Sequence, residues 1–410
     1  MINRDAVSEL DRLDPLGHKR AEFDLPRGKV YLDGNSLGAL PRAVSARVDA
    51  TLHQQWGHDL IDSWTAHDWI NLPSTVGEKI APLVGAAPGQ VISADSISVN
   101  LFKLLAVALK LRPGREVVLS AADNFPTDLY MGQGLETLGS GARLALAAES
   151  EIAAAINDQV AVVLLSHVNF RSGRLLPMAE ITAAAHAQGA LVIWDLAHSA
   201  GALPVNLDAA AADFAVGCGY KYLNGGPGAP AFVYVSERHQ DSVAQPLSGW
   251  MGHRSPFDFD PVYEPAAGVR QYLCGTPPVL SMAALDAALE AFSGIDLATL
   301  RTKSMALGTL MIELVEGRNL AEPLRLYSPA QAEERGSHLA FSHSEAYGLV
   351  QALIQRGVIA DFREPDLLRV GFAPLYNSFG DIWQAVEALA AVLAAGEHRD
   401  PRWQQRKQVT

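Results

Sequence analysis

Residues 159–236 alternate short, continuously apolar runs with helical stretches, and few folds accept that pattern. The run 159–166 (QVAVVLLS) has the length and unbroken hydrophobicity of a strand buried on both faces. Residues 177–188 follow; they are Ala-rich and helical, with Gly189 as their stop. Then come 190–195 (ALVIWD), 213–217 and 231–236 (AFVYVS), three more runs of buried-strand type. Strands alternating with helices predict a mostly parallel sheet covered on both faces. The chain has 410 residues, 49% of them hydrophobic, enough for a sizeable core and for two domains or one large domain with a satellite.

The character changes at 245–278. This stretch is rich in Gly, Pro and aromatic residues, has no steady period, and is too long for an ordinary connection. From Ser281 the pattern is helical through about Glu316, with short strands near 339–342, 358–362 and 368–372 and a final Ala-rich helix over 380–395. That reads as a second, α+β domain. The polar tail 398–410 reads as loose.

Charge and cysteine content narrow the function classes. The net charge of −13 argues against a nucleic-acid partner. No apolar run reaches the roughly 18 to 20 residues of a membrane span, and residues 1–23 are studded with charges, unlike a secretory signal. The two cysteines, Cys218 and Cys274, form no CxxC or Cys/His cluster, which predicts neither a disulfide framework nor a metal site. A cytoplasmic location is the expectation.

Chemistry concentrates after two of the strand runs. Asp195 ends ALVIWD and His198 lies just past it, where α/β sheets bind ligands. Asp195 has two readings, a cap on the following turn or an acid aimed into a site. Downstream, 217–230 (GCGYKYLNGGPGAP) places Lys221 between two tyrosines and before a Gly-rich loop; it is either a surface lysine or a partner for Asp195 one strand away. The pair suits pyridoxal phosphate, which needs a lysine amine for its Schiff base and an acid to keep the pyridine nitrogen protonated. The lysine then serves as general base and acid at Cα. Ile97-Ser98-Val99-Asn100 precedes a helical run over 101–111, and Ser98 reads as the N-cap of a helix whose free N–H groups suit a phosphate. No GxGxxG or GxxxxGK[ST] follows a predicted strand.

With these stretches in view, the chain resembles the kynureninase family of fold-type I pyridoxal-phosphate enzymes. The resemblance rests on YLDGNSLGALP (31–41), SVNLFKLL (98–105), DNFPTD (123–128), DLAHSAG (195–201), GYKYLNGGPG (219–228), GWMGH (249–253) and RVGFAPLYNSF (369–379), in the family's order over nearly the whole chain. It implies an α/β large domain with a mostly parallel seven-stranded sheet over 45–285, and a smaller α+β domain from 1–44 and 286–410. It implies that Lys221 carries the cofactor, that Asp195 pairs with the pyridine nitrogen with Asp128 nearby, and that Ile97, Ser98, Phe125, Ser166, His198 and Tyr220 line the cofactor. Trp250 and Thr276 would reach the phosphate or substrate from the partner subunit of a homodimer. Arg369 would hold the substrate α-carboxylate with its guanidinium fork; on residues alone it reads equally as a surface arginine on an edge strand. His58, in WGHDL, matches a family position near the substrate ring, and otherwise reads as a satisfied polar residue.

The reaction so implied is hydrolysis of L-kynurenine to anthranilate and L-alanine in tryptophan catabolism, feeding NAD biosynthesis, with Tyr220 a candidate proton relay. Thr276 and Met251 depart from the Asn and Phe of animal members, which opens the choice between kynurenine and its 3-hydroxy form. Two rivals stand beside this reading. One is another fold-type I enzyme such as a cysteine desulfurase, for which Cys274 is better placed than Cys218. The other is a non-catalytic α/β ligand-binding protein, which has no need of the Asp195 and Lys221 pair.

Overall fold

The computed structural model describes residues 2–406; Met1 and the last four residues of the tail expected to be loose lie outside the described residues. Its main sheet has seven strands: β1 (Val91–Ser93), β2 (Val117–Ala121), β3 (Arg143–Ala147), β4 (Val160–Ser166), β5 (Leu191–Asp195), β6 (Phe214–Cys218) and β7 (Ala231–Val235), in the spatial order β1-β7-β6-β5-β4-β2-β3. All neighbours are parallel except β7, which runs antiparallel to β6 and β1. Every residue of β4 to β7 is buried, as unbroken apolar strands covered on both faces must be. Large apolar cores occupy the two faces, one around Trp194 and Leu285 and the other around Leu101, Ile193 and Phe214.

A second sheet of four strands follows: β8 (Arg325–Leu326), β9 (His338–Ser342), β10 (Asp361–Arg363) and β11 (Leu367–Gly371), in the order β8-β9-β11-β10 and antiparallel throughout. Its own core joins Leu307, Phe341 and Val386 to Val7 and Leu32 from the start of the chain. The N-terminal segment is stitched in by Val30–Tyr31, which pairs in parallel with Val358–Ile359.

Three expectations need correction. The single helix over 281–316 is two, Val279–Ala288 and Leu297–Gly317, because Gly294 takes a left-handed conformation and Asp296 caps a new start, accepting from the N–H groups of Ala298 and Thr299. The strand over 358–362 is likewise split, since Val358–Ile359 and Asp361–Arg363 pair with different partners. The tail is ordered through its first turns: His398 is buried, and Trp403 Nε1 donates to Glu397 O at 3.1 Å.

The long segment 245–278 folds back on itself with little regular structure beyond two short 3-10 turns, Trp250–Gly252 and Gly268–Tyr272. Met251 N donates to Cys274 O at 3.1 Å and Ala266 N to Gly252 O at 2.8 Å. Gly249 is required there, because a Cβ would fall 2.2 Å from Cys274 O.

Candidate active site

From β2 the chain runs outward to β3, then returns and proceeds the other way through β4, β5 and β6. The order reverses between β2 and β4, and loops leaving the carboxyl ends there diverge and open a crevice. A cavity of about 310 Å³ occupies it, with Ser166 at the end of β4, Asp195 at the end of β5 and Cys218 at the end of β6 in its wall. Ile97, Ser98, Phe125, His198, Tyr220 and Lys221 complete the lining drawn from the expected residues.

Lys221 follows β6 by three residues, and its Nζ lies 3.0 Å from His198 Nε2. The turn that carries it is held by the segment 31–41. Gly38 N donates to Tyr220 O at 2.8 Å, and a Cβ on Gly38 would fall 2.3 Å from Lys221 O. The glycine of that motif therefore serves close backbone approach.

Two carboxyl groups lie within electrostatic reach of each other and of the amine. Asp195 is 3% exposed and Asp128 fully buried. Asp195 Oδ1 accepts from Ala197 N at 2.7 Å, so the residue does cap its turn as well as facing the cavity. Asp128 comes from the other side of the crevice, in the first turn of the helix Pro126–Thr137 after β2. Asn124 ties the two sides: its Nδ2 donates to Asp128 Oδ2 at 3.3 Å, and its Oδ1 accepts from Ser166 N at 3.0 Å. Burial raises both acids above the usual carboxylate range. For Asp128 the neighbouring Asp195 charge adds to burial, and for both the Lys221 cation opposes it. Burial, followed by the Lys221 charge, pushes His198 well below its ordinary value, so its ring stays neutral.

These residues fit pyridoxal phosphate. Asp128 Oδ1 and His198 Nδ1 are buried without a partner, and a pair of buried acids short of a cation is what a protonated pyridine nitrogen would complete. At the other end the helix Ile97–Leu111 points its first N–H groups at the cavity. Its cap is Ser96, whose side chain accepts from Val99 N, and not Ser98, which lies inside the first turn. The reason is Asp95, whose positive φ turns the chain two residues earlier than the sequence predicts. Among the described residues no group of three or more His, Cys, Asp or Glu side chains could hold a metal ion.

Arg369 lies on β11, an inner strand of its sheet, and is 2% exposed, so the surface-arginine reading is wrong. It stands behind the cavity wall, donating through Nη1 to Phe170 O. Its fork is engaged: Nε donates to Asp361 Oδ1 at 2.9 Å, and Nη2 to Asp361 Oδ2 and to Ser36 Oγ. His58, Trp250 and Thr276 are not in the cavity lining of this chain. The His58 side chain is exposed and bonds Asp59, Trp250 packs against Phe257 and Phe259, and Thr276 is exposed.

Several residues of the centre escaped the sequence. Thr127 and Phe170 line the cavity; Thr127 sits inside the quoted DNFPTD, while Phe170 follows β4 with no marker. Asp361 occupies an unremarkable strand and carries no signal. Cys218 lines the cavity but is buried, which raises its thiol, whereas Cys274 bonds Leu247 O at 3.1 Å outside the lining.

Solved structures share this fold. A cysteine desulfurase from Thermococcus onnurineus superimposes with a TM-score of 0.77 at 18% identity, covering 92% of this chain and 98% of that one. A cysteine desulfurase from Escherichia coli does so with 0.75 at 22% identity, covering 93% and 98%. Sequence relatives are nearer. The kynureninase of Deinococcus radiodurans is 54% identical over 392 residues, covering 94% of this chain and 95% of its own. That of Burkholderia pseudomallei is 48% identical over the whole of both chains. The family description "Kynureninase C-terminal domain" matches residues 300–389. Identity at this level across nearly the whole chain, around a lysine paired with buried acids, leaves one conclusion: the chain belongs to the kynureninase family.

Proposed function

We propose that the protein is a pyridoxal-phosphate-dependent hydrolase that converts L-kynurenine and water to anthranilate and L-alanine, with 3-hydroxy-L-kynurenine as the second substrate to be tested. The observation that carries this is the Lys221 amine set in a cavity lined by the buried Asp195, with Asp128 buried beside it, in a chain about half identical to kynureninases over its full length. Pyridoxal phosphate, when bound, supplies an aldehyde for the amine and a protonated ring that takes up the electron pair left at Cα.

The chain's own residues supply the rest. Asp195, with Asp128 behind it, holds the pyridine nitrogen protonated. The N–H groups at Ile97 and Ser98 hold the phosphate. Lys221 takes the proton from Cα and returns it, and His198 stays neutral beside it. Tyr220, whose phenol burial holds in its protonated form, donates a proton to Cβ, the carbon kept in alanine, after water attacks the γ-carbonyl and the Cβ–Cγ bond breaks to release anthranilate. Arg369 holds the α-carboxylate. In this reading Trp250 and Thr276 complete the site of the second subunit of a two-fold dimer, and His58 lies near the substrate ring. The domains divide as 45–285 and 1–44 with 286–410. The protein is cytoplasmic and acts on a small amino acid rather than on nucleic acid or a membrane; among the described residues no helix is long and apolar enough to cross one.

The test is an absorbance-monitored assay with L-kynurenine and its 3-hydroxy analogue. Wild type should turn over at least one, and borohydride should fix the cofactor to Lys221. Lys221→Ala should abolish both. Turnover of cysteine to alanine with no turnover of either kynurenine would favour the desulfurase reading and sink this one.

A further inference from the structure

The turn after Val30–Tyr31 brings a second acid to the Arg369 centre. Asp33 bridges to Gly371 of β11, and its backbone carbonyl accepts from Ser36 N and Leu37 N at 3.0 and 3.1 Å. That turn aims Ser36 Oγ at Asp361 Oδ2, 2.8 Å away, where Arg363 and Arg369 also converge. Asp33 Oδ1 is buried without a partner, and so is Arg363 Nε. The charged and titratable groups around Asp33 are Asp361, Arg363 and Arg369 from the four-stranded sheet and the phenols of Tyr31, Tyr222 and Tyr376.

Two guanidinium groups thus face two acids of unequal character. Burial pushes Asp361 up, but the charge and hydrogen bonds of Arg369 outweigh it and keep it ionised. Asp33 has no guanidinium hydrogen bond of its own, and a Ser36 hydrogen bond with the Arg369 and Arg363 charges offsets burial only in part. Burial first, then the negative charge of Asp361, pushes it up to about 7. With Asp33 neutral the cluster carries one surplus positive charge, and with Asp33 ionised it carries none.

We infer that Asp33 is a positioning residue that sets the charge with which the Arg369 centre meets a substrate carboxylate. This rests on the proposed role of Arg369. Below neutrality Asp33 is protonated and the surplus cation is available to the carboxylate; as pH rises through neutrality that surplus is cancelled and affinity falls.

The test compares holoenzyme KM and kcat for L-kynurenine across about pH 6 to about pH 8.5, a window centred on the neutral range. In wild type KM should rise about tenfold, a change of one decade in affinity. Asp33→Asn should hold KM low and flat, with the effect on KM rather than kcat, and Asp33→Glu should restore the rise. A wild-type profile in Asp33→Asn overturns the inference. Should neither variant fold, calorimetric binding of L-alanine to wild type decides: its dissociation constant, corrected for titration of the amine, should weaken several-fold over the same window, and a flat curve overturns the inference. Arg369→Leu separates the two claims. If it leaves KM unchanged, the carboxylate role of Arg369 has failed. If it raises KM while the Asp33 variants follow wild type, only the Asp33 inference has failed.

Discussion

The geometry around Asp195 makes a sharp demand on one oxygen. Oδ1 is held by Ala197 N, so the charge that matters to the cavity resides on a carboxyl whose neighbour Asp128 repels a second negative charge. Asp195→Asn keeps the shape and the turn cap but removes the means of keeping a pyridine nitrogen protonated. The expected outcome is a variant that still takes up cofactor, seen by its absorbance, while kcat falls by about 3 kcal/mol or more in the barrier, the scale of a lost electrostatic contribution. Wild-type kcat in that variant would show the electron sink lies elsewhere. At this scale the sequence was informative where chemistry and chain position coincide. Asp195 ends an apolar run and Lys221 lies one strand later, so both could be read. The cap could not: the sequence pattern points to Ser98, and the positive φ of Asp95 moves the helix start so that Ser96 caps it. Asp361 was invisible because its importance comes from Arg369, a neighbour in space on the adjoining strand.

Among elements, four interior strands of the main sheet were legible, while the equally buried interior strand β2 and the strands at the margins were not. β4 to β7 are continuous apolar runs. β1 has three residues, and β3 is an edge strand with no fully buried position, so neither offers a clean period. The start of β6 carries a further feature unrelated to the cavity. Asp213, 1% exposed, accepts from His186 Nε2 and His239 Nε2, both at 2.8 Å, from Arg238 Nη2 at 2.7 Å and from Val192 N at 2.8 Å. Burial pushes this carboxyl up, yet the three side-chain donors outweigh burial and hold it well below the usual range. A lowered folded pKa means the stabilisation is complete above the unfolded value of about 3.9 and is lost as pH falls below it. Asp213→Asn should therefore destabilise by about 2 to 3 kcal/mol near neutrality, as for removal of a charged hydrogen-bonding partner. Urea midpoints should converge with wild type as the solution is acidified. A constant gap between the two down to about pH 3 would contradict this assignment.

For the whole molecule, the segment 245–278 is the feature that a single chain leaves unexplained. It exposes Trp250, Phe257, Phe259 and Val262 together, and Trp250 does not reach the cavity of its own chain. An exposed cluster of large apolar side chains favours an interface, and the commonest is two-fold, with the same patch contributed by both copies. Mixing inactive Lys221→Ala chains with inactive Trp250→Ala chains should then restore part of the activity, because a mixed dimer has one site with both lesions and one with neither. Heterodimers confirmed by mass that stay inactive would rule out shared sites.

The stitching of Val30–Tyr31 to Val358–Ile359 also orders events in time. During synthesis β5, which ends in Asp195, and β6, just before Lys221, leave the ribosome ahead of β10 and β11, and domains fold as their residues emerge. The segment holding Asp33 and Ser36 must wait for those last strands, although it is made first. If Arg369 is the carboxylate anchor as proposed, substrate recognition would be the final part of the centre to be assembled, and a half-made chain would carry the Lys221 amine before its anchor.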